Sequence, residues 1–152
     1  MRISKHISYK EAVHSNTAKR RGIENKPNDD QLYNMAKVAH NIFEPLRLYV
    51  GGAIKINSFF RSEELNKAIG GSSKSQHCRG CAIDIDDIYG HKSNYQMFEY
   101  IRENLDFDQL IYEFGDADNP DWVHVSYVSS KENRNRVLRA VKNNGKTSYQ
   151  VF

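Results

Sequence analysis

The sequence SQHCRGCAID around His77 and Asp84 constrains this chain more than any other segment. Apolar and polar side chains alternate over residues 81–86, which is the period of a strand with one buried face. Asp84 lies on the polar face of that strand, and His77 lies in the loop before it. The segment WVHVS at 122–126 alternates in the same way and places His124 on a polar face. The sequence therefore predicts two strands and one loop that each present a metal-binding type of side chain.

Two imidazoles and one carboxylate form a donor set that suits zinc. A catalytic zinc site keeps three protein ligands and one open position. Gly80 and Ala82, between the first two donors, are small enough for the backbone to approach a metal closely. We therefore predict that His77, Asp84 and His124 bind one zinc ion per chain.

The two cysteines, Cys78 and Cys81, are the only ones in the chain. Their Cys-x-x-Cys spacing could form half of a zinc site, but no second pair exists to complete it. Two cysteines so close together also form no disulfide framework. We expect a reduced pair.

The length and composition favour one domain over residues 1–152, because a chain of 152 residues with 39% hydrophobic side chains can bury one core. Within it we expect a helical part over 1–50, a sheet with the active site over 51–128, and a helix with a tail over 129–152. Strands are predicted by alternation and by β-branched or aromatic content at 53–60, 81–86, 109–114 and 122–128. Helices are predicted from capping residues and spacings of three and four, beginning at Ser8, Thr17, Pro27, Ser62, Ser93 and Ser130. The fold class is thus α+β, with helices on one side of a mostly antiparallel sheet of about four strands.

The charge pattern and the N-terminus bear on location and partners. The net charge of +3 suits a polyanionic partner, either a bacterial cell wall or a nucleic acid. A nucleic-acid binder is an alternative, based on the basic side chains of the predicted last helix, Arg134, Arg136, Arg139 and Lys142; such a stripe is more often a solvated face. No apolar run reaches membrane-spanning length, and residues 1–6 lack a signal-peptide core. We expect a monomer that is made in the cytoplasm and binds neither membrane nor nucleic acid.

The pattern SxHxxGxAxD from Ser75 to Asp84, followed by WVH at 122–124, resembles the zinc peptidoglycan peptidases. That family contains D-Ala-D-Ala carboxypeptidases, vancomycin-resistance dipeptidases and phage L-alanyl-D-glutamate endopeptidases, and it shares its fold with the Hedgehog signalling domain. The resemblance extends from about Ile3 to Tyr127. The segments KHIS and TAKRRGIEN near the N-terminus are similar to the phage endolysin-type branch. The resemblance implies that zinc is bound by the three residues named above.

The family also uses a carboxylate as general base, and two residues are candidates. Glu113 ends a predicted strand and is similar to the strand-borne glutamate of the Hedgehog-like branch. Asp121 lies three residues before His124, where the dipeptidase branch carries its catalytic glutamate, but aspartate is shorter and here follows Pro120 in a loop. We favour Glu113, because a strand holds a side chain more firmly than a loop. The alternative for Asp121 is a solvated turn residue.

Arg61 lies in the sequence NSFFRS, which resembles the SGYRS context of the family, although Phe59 replaces the usual glycine. The implied role of Arg61 is to bind a carbonyl or carboxylate of the substrate. The alternative is a surface ion pair with Glu63 or Glu64. Ser75 is expected to hydrogen-bond the substrate or to orient the loop.

The resemblance implies a zinc metallopeptidase that hydrolyses a stem peptide of peptidoglycan, either between L-Ala and D-Glu or at the terminal D-Ala. The phage-like N-terminal segments favour an endolysin that reaches the wall after release, or a virion-associated enzyme. The alternative from another class is a non-catalytic zinc-binding module that serves as a virion structural or wall-binding domain.

Overall fold

A six-stranded mixed sheet forms the centre of the computed structural model, which describes residues 1–152. Its strands are β3 (Lys55–Ser58), β4 (Ala82–Asp86), β5 (Gln109–Glu113), β6 (Trp122–Ser126), β7 (Arg136–Asn143) and β8 (Lys146–Val151). They are arranged in the order β3-β4-β6-β5-β7-β8; β5 and β7 are parallel, and the other neighbours are antiparallel. A separate small ribbon pairs β1 (Arg2–Ser4) with β2 (Ile7–Ser8). The prediction of a mostly antiparallel sheet of about four strands was therefore wrong in the number of strands, and the sheet is mixed because it contains one parallel pair.

Helices supply most of the N-terminal third, and further helices lie between the strands of the central sheet. They are α1 (Tyr9–Ala12), α2 (Asn16–Arg21), α3 (Asp29–Val38), a π-helical turn (Ala39–Phe43), α4 (Glu44–Val50), α5 (Glu63–Ala68) and α6 (Asn94–Asn104), and a 3₁₀ turn spans Gln76–Arg79. Side chains of Ser8, Ser62 and Ser93 accept hydrogen bonds from backbone N–H groups in the first turns of α1, α5 and α6. Because these caps satisfy otherwise free donors, the three predicted helix starts are confirmed. None of the helices combines the length and the apolarity that crossing a bilayer requires.

A proline inside a helix ordinarily kinks or ends it, because proline lacks a backbone N–H and clashes with the preceding turn, and Pro45 lies within the long N-terminal helix. The helix instead changes to a π turn over 39–43 directly before Pro45 and continues to Val50. It ends at Gly51, whose φ of 75° is left-handed. Since the π turn already shifts the hydrogen-bond ladder, the missing N–H of Pro45 falls at a junction between two helical registers.

The helix predicted to begin at Ser130 was wrong, because residues 136–151 form the β7–β8 hairpin, and the segment predicted as a tail forms β8. Leu138 and Ala140 are buried on one face of β7, and Val137 contacts the main core on the other. The two strands are joined by Asn144 and Gly145, whose φ angles are 52° and 78°. Two left-handed residues in sequence are what a tight hairpin turn of the right twist requires, and Asn-Gly is its commonest sequence.

The two faces of the central sheet have different roles. One face packs against the helices and forms the main core; its contributors from the sheet include Ile83, Ile85, Leu110, Tyr112, Val123 and Val125. The opposite face carries a small apolar cluster of Ile111, Leu138 and Ala140. Because strand residues alternate between faces, Asp84, His124 and Glu113 share the second face, away from the helical layer.

Candidate metal centre and its pocket

His77 is held from both its backbone and its ring. The Ser75 hydroxyl accepts a hydrogen bond from the backbone N–H of His77 at 3.3 Å and begins the 3₁₀ turn. The imidazole is buried, and its Nδ1 lies 2.8 Å from the carbonyl oxygen of Phe59. Since a carbonyl only accepts, Nδ1 carries the proton and Nε2 presents its lone pair.

Asp84 and His124 are direct partners across the β4–β6 pair. One carboxylate oxygen of Asp84 lies 2.8 Å from Nδ1 of His124, and the other lies 3.1 Å from Nε2 of His77. Strand pairing thus places one carboxylate between two imidazoles. The two rings lie edge to face, with centroids 5.2 Å apart.

These residues fit a zinc ion. Nε2 of His77 is buried, and its nearest polar neighbour is the carboxylate of Asp84 at 3.1 Å. With Nδ1 protonated, both atoms present lone pairs, so neither satisfies the other and both can serve a metal. The donor atoms of His77, Asp84 and His124 all lie within 4.8 Å of one another. Two nitrogens and one carboxylate oxygen match the donors of catalytic zinc sites. The Cys78 and Cys81 thiols are free, and burial raises the pKa of both.

The electrostatics of the cluster follow from burial and close charges. Burial lowers the pKa of His77, which favours the neutral ring that metal binding needs. Burial alone would raise the pKa of Asp84, but the two imidazoles outweigh it and hold that pKa well below its usual range. Burial also opposes the charged form of His124, yet its hydrogen bond to Asp84 raises the pKa of His124 overall.

Glu113 lies next to the cluster on the same face of the sheet. Ile111 pairs with His124, so Glu113, two residues further along β5, is the diagonal neighbour of that imidazole. Its side chain is only 7% exposed. Burial raises the pKa of Glu113 to about 7, with a further contribution from Asp84 and an opposing one from His124. A carboxyl with such a pKa can both accept and release a proton near neutral pH.

Arg61 is half-buried beside the His77 loop, and its backbone N–H donates to the carbonyl oxygen of His77 at 3.3 Å. Its Nε is buried and has no hydrogen-bond partner, which disfavours the predicted alternative of a surface ion pair. Burial lowers the pKa of Arg61, and the charge of Asp84 opposes that shift. Arg61 also lines the cavity described next.

One cavity of about 710 Å³ unites nearly all the predicted site residues, and Arg61, Ser75, His77, Asp84, Glu113 and His124 line it. Asp121 does not. It is exposed and borders a separate cavity of about 470 Å³, and its backbone N–H donates to the carbonyl oxygen of Glu113 at 2.9 Å. The structure thus brings Glu113, but not Asp121, together with the candidate ligands.

Two groups of residues at or beside this site were not predicted from the sequence. Asp108, 2% exposed, receives two hydrogen bonds from the Arg134 guanidinium at 3.0 and 2.8 Å and one from Gln76 at 2.9 Å. This cluster ties the connection between β6 and β7 to Gln76, the residue before His77. The β7–β8 hairpin contributes Arg136, Leu138, Thr147 and Tyr149 to the cavity wall. No pattern in the sequence brings these distant residues together, and the Asn-Gly turn was the one available signal for the hairpin.

The comparisons with known proteins agree with this geometry. Residues 5–126 match the family model described as Peptidase M15. A search of curated proteins found no match. The matched range contains His77, Asp84, His124, Arg61 and Glu113, and it ends before the β7–β8 hairpin begins.

Proposed function

Since the chain belongs to the peptidase M15 family, a family of zinc-dependent metallopeptidases, we propose that it hydrolyses a peptide bond in the stem peptide of peptidoglycan. One observation carries the proposal: His77, Asp84 and His124 converge in a cavity that also contains a buried carboxyl with a pKa near neutrality. A purely structural site has no need of such a carboxyl beside it.

The residues of the chain have distinct tasks in this reaction. His77, Asp84 and His124 would hold zinc, which supplies a Lewis acid that activates water and polarises the scissile carbonyl. Glu113 takes the proton of the attacking water and passes it to the leaving amine. Arg61 lines the cavity, and its guanidinium binds a carbonyl or carboxylate oxygen of the peptide, where a fixed positive charge stabilises developing negative charge.

The cations of the cavity support an anionic peptide as substrate. Besides Arg61, Lys74 and Arg136 line the cavity and are exposed. Stem peptides carry carboxylates at D-Glu and at the terminal D-Ala. We propose that the bond cleaved is L-Ala–D-Glu or the terminal D-Ala–D-Ala, in an endolysin or a virion-associated enzyme that acts on the wall as a monomer. Neither a membrane nor a nucleic acid is part of this proposal.

The test is digestion of purified peptidoglycan by the zinc-loaded protein, with mass spectrometry of the released fragments. We expect new termini at one of the two bonds. Glu113→Gln should keep one zinc per chain and lose at least a hundredfold in rate, because it removes the proton acceptor. Asp121→Asn is the matched control and should retain the activity.

Metal analysis distinguishes the remaining outcomes. His77→Ala should lose stoichiometric zinc, and retention of zinc by that variant would contradict the ligand assignment. Full activity of Glu113→Gln together with loss in Asp121→Asn would transfer the role of base to Asp121. Stoichiometric zinc without any hydrolysis would identify the protein as the non-catalytic binding module.

A further inference from the structure

The β7–β8 hairpin lies outside the family-matched residues and yet borders the candidate catalytic pocket. β7 is attached to the sheet by parallel pairing with β5, the strand that carries Glu113. β8 then forms the outer edge of the sheet on that side. The hairpin therefore adds two strands to the face on which the metal cluster lies.

Cross-strand pairing aligns one residue of β8 with the proposed general base. Trp122 pairs with Glu113, Glu113 with Ala140, and Ala140 with Tyr149. Residues paired in this way project from the same face of a sheet, so the four side chains form one row. Only the methyl group of Ala140 stands between Glu113 and Tyr149. Trp122, Glu113 and Tyr149 all line the cavity.

The pKa of the Tyr149 phenol is affected by the charges of the site. Partial burial raises the pKa of Tyr149, and the negative charges of Glu113 and Asp84 raise it further. The phenol consequently stays protonated near neutral pH and acts as a donor. Tyr149 is 57% exposed, so its hydroxyl is accessible to a ligand that enters the cavity.

We propose that Tyr149 binds the substrate, with its hydroxyl donating a hydrogen bond to a carbonyl oxygen of the peptide held against Glu113. The β7–β8 hairpin is then the second wall of the substrate cleft, opposite the wall that carries Arg61 and the His77 loop. This assignment rests on the proposed function, because it takes the stem peptide as the ligand.

Binding to an inactive protein tests the assignment directly. Trp122 is the only tryptophan of the chain and lines the cavity, so its fluorescence reports ligand binding. The zinc-loaded Glu113→Gln protein is titrated with a synthetic stem pentapeptide, with and without Tyr149→Phe. We expect the second change to weaken Kd about tenfold, the effect of one lost hydrogen bond.

Gln150→Ala is the matched control, because Gln150 is the next residue of β8 and projects from the opposite face. It should leave Kd unchanged. In the active protein, Tyr149→Phe should raise KM about tenfold and change kcat less than about threefold. Equal melting temperatures for the variants would show that the fold is intact.

The outcomes separate this inference from the proposed function. An unchanged Kd in Tyr149→Phe, or no binding of the pentapeptide to the Glu113→Gln protein, overturns the role of Tyr149 even if peptidoglycan is hydrolysed. If the zinc-loaded protein hydrolyses nothing but binds the pentapeptide in a Tyr149-dependent way, the proposed function fails and the cleft assignment stands.

Discussion

Glu113, the proposed general base, has opposite effects on catalysis and on stability. Burial raises its pKa towards neutrality, which suits proton transfer, but burying a carboxylate lowers the stability of the fold. Burial raises its pKa from 4.5 to about 7, so the folded protein holds the proton more tightly than the unfolded chain does. Such a group makes the folded state less stable as the pH rises from about 4.5 to 7. The loss of stability reaches about 3 kcal/mol above pH 7.

Glu113→Gln should therefore stabilise the metal-free protein at pH 8 by about 1–3 kcal/mol, because the amide carries no charge to desolvate. The gain should shrink below pH 7 and vanish below about pH 4.5. Urea unfolding in the presence of a chelator at pH 4, 6 and 8 measures the difference. A gain that is independent of pH would contradict the raised pKa.

The grouping of the candidate metal ligands could be predicted from sequence because each of the three is specified by local information. The alternation around Asp84 and His124 fixed the face on which each projects, and the spacing from His77 completed the donor set. The contribution of Tyr149 could not be predicted, because it depends on pairing between strands whose partners are far apart in the chain.

Two elements of the fold meet at Asp108, the buried carboxylate before β5. Its hydrogen bonds with Arg134 are the largest contribution to a pKa below the usual range, and they outweigh the effect of burial. A lowered pKa means that the interaction stabilises the fold above the unfolded value of 3.8 and is lost as the pH falls below it. The hydrogen bonds of Asp108 with Arg134 and Gln76 thus tie the segment between β6 and β7 to the 3₁₀ turn that contains His77.

Arg134→Ala should destabilise the protein by about 1–2 kcal/mol at pH 7, since Asp108 keeps Gln76 but loses its bidentate partner. The effect should decrease as the pH falls below 3.8, because the carboxyl of the unfolded chain then takes up a proton. Thermal unfolding of this variant beside Lys131→Ala, a change at an exposed neighbour, provides the comparison. Equal destabilisation by the two variants would contradict a stabilising role for the Arg134–Asp108 pair.

The β7–β8 turn depends on a glycine in a left-handed backbone conformation, and substitution of that glycine tests the hairpin. Gly145 has a φ of 78°, and open space surrounds the position where a Cβ would lie. Gly145→Ala should therefore cost about 1 kcal/mol from backbone strain alone. Lys146→Ala, at the adjacent exposed position, should cost much less. Similar melting temperatures for both variants would argue against the tight turn.

Helix starts were the elements best predicted, because a capping serine acts on the backbone a few residues away. The C-terminal helix was mispredicted because residues 137, 138 and 141 fit helical spacing and do not alternate as in a strand with one buried face. Burial decided between them: with Val137 on the main core and Leu138 on the opposite cluster, β7 has two apolar faces. Such a strand shows no clean alternation in sequence.

At the scale of the whole molecule, the sheet separates stability from chemistry. The face towards the helices carries the large core. The face with the candidate metal ligands has only the small apolar cluster of Ile111, Leu138 and Ala140. The polar residues of the site are therefore held by strands whose positions are fixed from behind. This division explains how buried charges can be kept at the site without a core of their own.

The pairing of Asp84 with His124 has a consequence for the order of events in folding. Their strands adjoin in the sheet, although 40 residues separate the two side chains along the chain. Closing so long a loop precedes any complete metal site, so zinc can bind with full strength only late in folding. Zinc should therefore slow unfolding, in proportion to its stabilisation, and leave the refolding rate within about twofold. Stopped-flow refolding and unfolding with zinc or chelator measures both rates, and strong acceleration of refolding by zinc would place metal capture in the folding nucleus instead.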